Sequence, residues 1–305
     1  MWQSLLAQLT AGDTKALART ISFVEGEQPG YEELMQALPL SAATKIIGIT
    51  GPPGAGKSTL TDKLIGELIT AGHKVAVLCV DPSSPFNLGA VLGDRIRMSQ
   101  WYTHPSVFIR SLATRGAMGG LHPKIIEITD LLKAAAFDYI IVETVGVGQS
   151  EIEIAGLADT TIVVLVPEAG DEVQTMKAGL MEIADIFVVN KSDRPDADAF
   201  VRHLRTMLAP TFSSHAAEVP IIKTVAAQGE GLAELYQKIL LYEQERLQHD
   251  KRYWLLAERA YQLIQQHRMK DIDKRALKEA LKASDIPGFN LYRFIKPYRD
   301  KEAHY

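Results

Sequence analysis

The most constraining feature of the sequence is a glycine-rich loop between a short β-branched run and an amphipathic helix. The run at 46–50 enters the loop at 51–56, and Lys57 and Ser58 open the helix. This is the G-x-x-x-x-G-K-[ST] pattern in its required strand-to-helix setting. Glycines let the backbone turn its N–H groups onto an anion, and the positive end of the helix dipole points there too. The loop predicts a nucleotide phosphate site that comprises Gly51, Pro52, Pro53, Gly54, Ala55, Gly56, Lys57, Ser58 and Thr59.

Strand-like and helix-like segments alternate from residue 45 to residue 247. Apolar strands separated by helices form parallel sheets that are covered on both faces. The predicted fold is therefore α/β, a three-layer P-loop nucleotide-hydrolase domain with a mostly or wholly parallel sheet. Ligands of such sheets bind beyond the carboxyl ends of the strands. The predicted strands are 45–50, 74–80, 107–111, 139–143, 161–166, 186–190 and 221–224.

The segments on either side of this domain are predicted to be helical. Residues 1–44 predict two or three short helices that form an N-terminal cap, with Asp13 as an N-cap residue. Residues 248–305 predict a C-terminal helical arm, in which apolar residues recur at spacings of three and four. Such a stripe suits either packing on the chain's own domain or a subunit interface. Its residues are Trp254, Ala257, Tyr261 and Ile264.

Composition limits the partners and the compartment. The formal net charge of −4 disfavours a dedicated surface for nucleic acid or anionic membranes. No apolar run reaches transmembrane length, and the first residues lack the pattern of a signal peptide. The single cysteine, Cys79, lies in an apolar strand, where we expect a packed thiol. The sequence thus predicts a cytoplasmic protein that binds neither nucleic acid nor membranes.

A second motif, Asn190-Lys191-Ser192-Asp193, directly follows a predicted strand. A carboxylate at Asp193 accepts two hydrogen bonds from guanine, whereas adenine lacks that pair of donors. The Lys191 stem packs on the face of the base. This motif predicts GTP and GDP as the nucleotides. Backbone N–H groups after a later strand are candidates for the guanine oxygen, at Val225, Ala226 and Ala227.

Acidic residues at two other strand ends predict a Mg²⁺ site. Glu143 ends one apolar strand, and Gly146, three residues later, is placed to sense the γ-phosphate as in switch loops. Gln149 is a candidate for orienting the attacking water, although a solvated or interface glutamine is an equal alternative. Asp81 ends the second strand, and Asp94 follows it. The predicted metal ligands are Ser58, Asp81, Asp94 and Glu143, and the predicted catalytic residues are Lys57, Glu143, Gly146 and Gln149.

The motifs together resemble one family of proteins. Two predicted strands lie between Lys57 and Glu143, as in the all-parallel GTPases that include signal-recognition and metallochaperone proteins. Gly-Pro-Pro-Gly-Ala-Gly-Lys-Ser, Val-Asp-Pro-Ser-Ser-Pro, Gly-Asp-Arg-Ile-Arg-Met, Val-Glu-Thr-Val-Gly-Val-Gly-Gln-Ser and Asn-Lys-Ser-Asp occur in this order. The chain is similar to the MeaB/ArgK family, the GTPase chaperones of adenosylcobalamin-dependent methylmalonyl-CoA mutase.

The resemblance implies an activity, a partner and an oligomeric state. It implies slow Mg²⁺-dependent GTP hydrolysis that gates cofactor loading and protects an adenosylcobalamin-dependent acyl-CoA mutase. It also implies a homodimer held partly by the C-terminal helices, and a further switch at 167–177 that reports the nucleotide state to the mutase. Two other classes of function compete with this interpretation. One is a P-loop kinase acting on a protein or a small molecule, and the other is a scaffold that nucleotide merely orders.

Overall fold

A computed structural model of the chain describes residues 1–39, 43–81, 98–114, 121–144, 150–169, 181, 183–212, 219–245, 250–269, 272–283 and 289–299. The chain consists of two compact units, Met1–His249 and Asp250–Tyr305.

The first unit contains seven described strands. They are β1 (Lys45–Thr50), β2 (Val75–Asp81), β3 (Val107–Ala113), β4 (Tyr139–Glu143), β5 (Thr160–Leu165), β6 (Ile186–Asn190) and β7 (Ile221–Thr224). Its described α-helices are α1 (Trp2–Thr10), α2 (Thr14–Glu25), α3 (Tyr31–Gln36), α4 (Lys57–Thr70), α5 (Ile125–Ala134), α6 (Ser150–Leu157), α7 (Ala197–Phe212) and α8 (Leu232–Glu245).

The seven strands form one sheet in the order β3-β2-β4-β1-β5-β6-β7. Every pair of neighbours in this sheet is parallel. This confirms the predicted α/β fold, with the sheet wholly parallel. The strand that enters the glycine-rich loop, β1, is central, and Ile49 lies opposite Glu143 of β4. The carboxyl ends of the central strands therefore meet at the loop, where ligands of such sheets bind.

Alternating side chains of β1 are buried on opposite faces of the sheet. Ile47 and Ile49 pack in a core with residues of α4 and α8. Ile46 packs on the other face, in a core that includes residues of α2, α5 and α6. Gly48 lets α6 approach closely, because a Cβ atom there would lie 2.7 Å from Ile154 Cγ1. Helices thus cover both faces, as continuously apolar parallel strands require.

Helix α2 has a capped N-terminus, and a cluster of charged side chains joins its other end to β3. Asp13 accepts hydrogen bonds from the amides of Lys15 and Ala16, as the sequence predicts for the N-cap of α2. At the other end of α2, Glu25 lies 2.5 Å from the guanidinium of Arg110 on β3. His122 Nε2 lies 3.4 Å from the other Glu25 oxygen, and the His122 side chain is 1% exposed.

This cluster makes the stability of the fold depend on pH. Burial raises the pKa of Glu25, but the nearby His122 ring and the positive charge of Arg110 outweigh it and hold the pKa below its ordinary value. A depressed carboxyl pKa stabilises the fold above the unfolded pKa, and that contribution is lost as the pH falls. We expect Glu25→Gln to lower the free energy of unfolding by about 1–2 kcal/mol at pH 7. In urea titrations, the difference in the free energy of unfolding between this variant and wild type should shrink as the pH falls below 4.5, the ordinary pKa of the group. A difference that did not depend on pH would contradict a stabilising role of the ionised Glu25 carboxylate.

The described secondary structure of the second unit is entirely helical. Its helices are α9 (Asp250–Arg268), α10 (Lys274–Ala283) and α11 (Leu291–Arg299). Three aromatic side chains of α9 are exposed, namely Tyr253, Trp254 and Tyr261. None of the described helices of the chain is both long and apolar enough to cross a membrane.

Candidate functional site

The phosphate loop has a conformation that its glycines make accessible. Gly51, Gly54 and Gly56 have φ angles of 136°, 78° and 90°, in the region that L side chains rarely adopt. A Cβ atom on Gly51 would lie 2.1 Å from the carbonyl oxygen of Val164, and one on Gly56 would lie 2.4 Å from Asn190 Nδ2. The backbone therefore approaches β5 and the Asn190 side chain too closely for a larger residue.

Lys57, the first residue of α4, lies across this loop. Its ammonium group donates to the carbonyl oxygens of Gly51 at 2.8 Å and Pro52 at 3.0 Å. Lys57 is 7% exposed, so its charge is largely shielded from water. Gly56 is the N-cap residue of α4 and has no side chain. The positive end of the helix dipole is directed at the loop. An anion bound at the loop would meet both positive groups.

Glu143 ends β4 and is hydrogen-bonded to the same helix. Its Oε1 atom accepts from Ser58 Oγ at 2.6 Å, and its Oε2 atom accepts from Thr61 Oγ1 at 2.9 Å. Glu143 is 4% exposed and Thr61 is fully buried. The next residue, Thr144, donates from its hydroxyl to Thr50 Oγ1 at 2.9 Å, which links this strand end to the start of the phosphate loop.

The donor set at this point suits a hard divalent cation. The Ser58 hydroxyl and the Glu143 carboxylate are oxygen ligands of the type that Mg²⁺ prefers, and Mg²⁺ takes one or two carboxylates beside substrate phosphates. Asp81 ends β2, the strand that pairs with β4, so its backbone lies at the same edge of the sheet. The other predicted ligand, Asp94, lies outside the described residues, as do Gly146 and Gln149.

Asn190 connects the guanine motif to the phosphate loop. It ends β6, is 3% exposed, and donates from Nδ2 to the carbonyl oxygen of Ala55 at 2.9 Å. Its Oδ1 atom accepts from Thr224 Oγ1 at 3.1 Å and from the amide of Ala226 at 3.0 Å. Lys191, with a φ of 56°, donates from Nζ to the carbonyl oxygen of Gly54 at 2.8 Å. The carboxyl ends of β1, β6 and β7 are thereby joined by side-chain hydrogen bonds.

The remaining residues of the guanine motif surround this junction. Asp193 is exposed in the turn after Asn190. The amide of Val225 donates to the carbonyl oxygen of Glu230 at 3.1 Å, and the amide of Ala226 is bonded to Asn190. In this structure these two amides shape the turn, and their contact with a base stays a prediction. Ala227 is exposed beside them.

The loop that begins at Pro167 is described only over its first residues. Glu168, in the short 3₁₀ helix Pro167–Ala169, forms an ion pair with Arg194, the residue after Asp193. Its hydrogen bond with Arg194 lowers the pKa of Glu168. The predicted switch at 167–177 otherwise lies outside the described residues, so its response to nucleotide stays a prediction.

The parallel sheet, the phosphate loop and the guanine motif define a P-loop nucleotide-binding protein. The sequence model of the methylmalonyl-CoA mutase-associated GTPase MeaB matches residues 17–280. The chain therefore belongs to the MeaB family, and it is a GTPase that binds guanine nucleotides. This confirms the family and the activity that the motifs predict.

Individual relatives agree with this assignment. A Pyrococcus abyssi relative named as a GTPase is 48% identical over 243 residues, which cover 78% of this chain and 75% of the relative. The fused isobutyryl-CoA mutase of Geobacillus kaustophilus is 35% identical over 237 residues, which cover 73% of this chain and 22% of that one. A solved structure of the LAO/AO transport system kinase has a TM-score of 0.67 and 27% identity, and covers 98% of this chain and 97% of its own.

Proposed function

We propose that this GTPase acts as a chaperone and switch for an adenosylcobalamin-dependent acyl-CoA mutase. The observation that carries the proposal is the Geobacillus kaustophilus relative, in which a segment similar to 73% of this chain belongs to a fused isobutyryl-CoA mutase. The name of the matching family also associates it with methylmalonyl-CoA mutase. A domain fused to an enzyme in one chain commonly acts on that enzyme as a separate chain in another. GTP hydrolysis would gate cofactor loading and protect the mutase.

The geometry of the site supports hydrolysis by in-line attack of water on the γ-phosphate. Lys57, now bonded to two loop carbonyls, would exchange them for the β- and γ-phosphates and neutralise their developing charge. The loop amides and the start of α4 would hold the same phosphates. Ser58 and Glu143 would hold Mg²⁺, with contributions from Asp81 and Asp94, and the bound ion would supply further charge neutralisation. Gly146 would sense the γ-phosphate, and Gln149 would orient the water.

The guanine motif would fix the base while the phosphates react. Asp193 would accept from the two guanine donors, and Lys191 would pack on the base. Asn190 would keep both parts of the site at a constant separation, because it bonds to Ala55 in the phosphate loop and to Ala226 in the guanine turn. Val225 and Ala227 complete that turn. Thr59 and the other residues of the phosphate loop would surround the phosphates.

The two ends of the chain have separate proposed roles. Residues 1–44 form a helical cap on the GTPase domain at 45–247, and the arm at 248–305 forms a homodimer. The exposed aromatic side chains of α9 support dimerisation, because they are large apolar groups that a second copy would cover. The buried thiol of Cys79 suits a reducing compartment such as the cytoplasm.

The test of the mutase partnership measures phosphate release from GTP with and without a mutase. Adenosylcobalamin-dependent isobutyryl-CoA and methylmalonyl-CoA mutases from the same cell are tested separately at one Mg²⁺ concentration. We expect one of them to form a complex and to change the rate several-fold, because a partner that distinguishes the GTP and GDP states must be coupled to hydrolysis. The Lys57→Ala variant controls for contaminating phosphatases. Unchanged rates and no complex with either mutase would refute the partnership.

A P-loop kinase is the second candidate function. The similarity to a solved LAO/AO transport system kinase favours it. The same assay with γ-labelled GTP separates the two functions, because a kinase transfers the label to a protein or small molecule and a GTPase releases it as free phosphate. Label that appears only as free phosphate in the presence of the mutase and its substrate would exclude both of these as phosphoryl acceptors.

A further inference from the structure

Thr61 lies one helical turn after Ser58 and contacts the same carboxylate. Residues three apart on an α-helix share a face, so α4 presents both hydroxyl groups to the end of β4. Ser58 donates to one oxygen of Glu143 and Thr61 donates to the other, at 2.6 and 2.9 Å. Both oxygens of a carboxylate that is 4% exposed therefore have hydroxyl donors from one helix.

The Thr61 hydroxyl differs from those of three other helical threonines in its acceptor. A threonine within a helix commonly donates to the carbonyl oxygen three or four residues earlier. Thr20, Thr70 and Thr206 each donate to the carbonyl oxygen four residues earlier, at 2.8, 2.8 and 3.0 Å. Thr61 instead donates to a side chain 82 residues later in the sequence. Its hydroxyl is thus oriented by the carboxylate rather than by its own helix.

The two hydroxyl groups are not equivalent in the proposed reaction. The Ser58 hydroxyl would donate a hydrogen bond to Glu143 and would also bind Mg²⁺ through its oxygen. Thr61 has no proposed contact with the nucleotide or the metal, and it can hold Glu143 in one orientation whether or not they are bound. A buried carboxylate oxygen that lacks a hydrogen-bond donor raises the free energy of the folded protein. Without the Thr61 hydroxyl, the carboxylate would turn away from its present position against Ser58.

We propose that Thr61 is a positioning residue for the Mg²⁺ site, acting through Glu143. It fixes the Glu143 carboxylate so that the oxygen facing Ser58 remains available at the phosphate loop. This inference rests on the proposed role of Ser58 and Glu143 in binding Mg²⁺. Thr61 would thus contribute to the Mg²⁺ site although it lies outside the glycine-rich motif and has no proposed contact with the substrate.

The test compares Thr61→Val, Thr61→Ala and Thr61→Ser in the full-length protein. The affinity for a fluorescent GDP analogue is measured as a function of Mg²⁺ concentration and again in excess EDTA. We expect the valine and alanine variants to need about tenfold more Mg²⁺ for the half-maximal effect. Their affinity in EDTA should stay close to that of wild type, because Thr61 is not expected to touch the nucleotide. The serine variant, which retains the hydroxyl, should behave like wild type.

Thr20→Val is the matched control. Thr20 is fully buried in α2 and donates to its own helix, so this variant removes a buried hydroxyl whose hydrogen bond is to Ala16 and not to Glu143. We expect its thermal stability to change and its Mg²⁺ dependence to remain that of wild type. A valine effect that also lowers the affinity in EDTA, or that serine does not rescue, would show a merely structural role and overturn the proposal. An unchanged Mg²⁺ dependence in both the valine and the alanine variants would overturn it too.

Glu143→Gln separates failure of this inference from failure of the proposed function. If Glu143→Gln raises the Mg²⁺ requirement and the Thr61 variants do not, Glu143 keeps its role and Thr61 loses its own. If Glu143→Gln leaves the Mg²⁺ requirement unchanged, the metal site itself is wrong, and the inference about Thr61 fails with it.

Discussion

Replacing Lys57 with alanine is expected to slow GTP hydrolysis by about a thousandfold, which corresponds to about 4 kcal/mol of transition-state stabilisation. The Lys57 ammonium is buried over the phosphate loop, and it donates hydrogen bonds to the carbonyl oxygens of Gly51 and Pro52. In a site shielded from water, a fixed positive charge stabilises developing negative charge more strongly than it does in water. Single-turnover phosphate release at saturating GTP measures the loss directly.

The matched control for this variant is Lys124→Ala. Lys124 is 6% exposed, which is close to the value for Lys57, and its ammonium lies 2.7 Å from a Glu27 oxygen. It precedes α5 and has no predicted contact with the nucleotide. We expect its removal to lower the melting temperature and to leave single-turnover hydrolysis unchanged. If both variants lost the same fraction of the single-turnover hydrolysis rate, the loss in Lys57→Ala would come from destabilisation of the fold. Rapid hydrolysis by Lys57→Ala would refute the assigned active site.

The strands could be predicted from the sequence because each one is a local apolar run. Four of them, β1, β4, β6 and β7, have the predicted bounds. The third strand is longer than predicted and ends at Ala113, because its last two residues pair with Val80 and Asp81 of β2. That extension depends on a neighbouring strand, which a local pattern does not contain. The helix α11 lies within the predicted C-terminal arm, but its bounds could not be predicted from a local pattern, because it contains Pro297, a residue that is usually excluded from the interior of a helix.

The residues of the candidate site could be named from motifs, but their mutual contacts could not. Asn190 was predicted to bind nucleotide, and the structure shows that it also bonds to Ala55, 135 residues earlier in the sequence. Thr61 was not predicted at all. The one signal for it in the sequence is a hydroxyl three residues after Ser58, which any surface threonine of a helix would also give. Such contacts arise only when the sheet brings strand ends together, so periodicity and motif spacing do not reveal them.

Changing Asp193 to asparagine is expected to convert the base preference from guanine to xanthine. The Asp193 carboxylate accepts from the N1–H and the 2-amino group of guanine in the proposed complex. An asparagine would direct an amide donor at the 2-amino group, whereas the 2-oxo group of xanthine accepts a hydrogen bond from it. Sites that hydrogen-bond a polar group discriminate strongly against analogues that leave a partner unpaired. We expect the affinity for GDP to fall about 100-fold, or about 2.7 kcal/mol, while that for xanthosine diphosphate rises.

Calorimetry with GDP, ADP and xanthosine diphosphate distinguishes this base contact from a general effect on the turn. Asp196→Asn is the control, because Asp196 is an exposed acidic residue three positions further along the same segment. Asparagine at that position keeps the same size and removes the same charge, so long-range electrostatic effects on the nucleotide are matched. We expect Asp196→Asn to bind GDP as wild type does. If wild type bound GDP and ADP equally, Asp193 would have no role in choosing the base, and Asn190 would keep only its connection between the phosphate loop and the guanine turn.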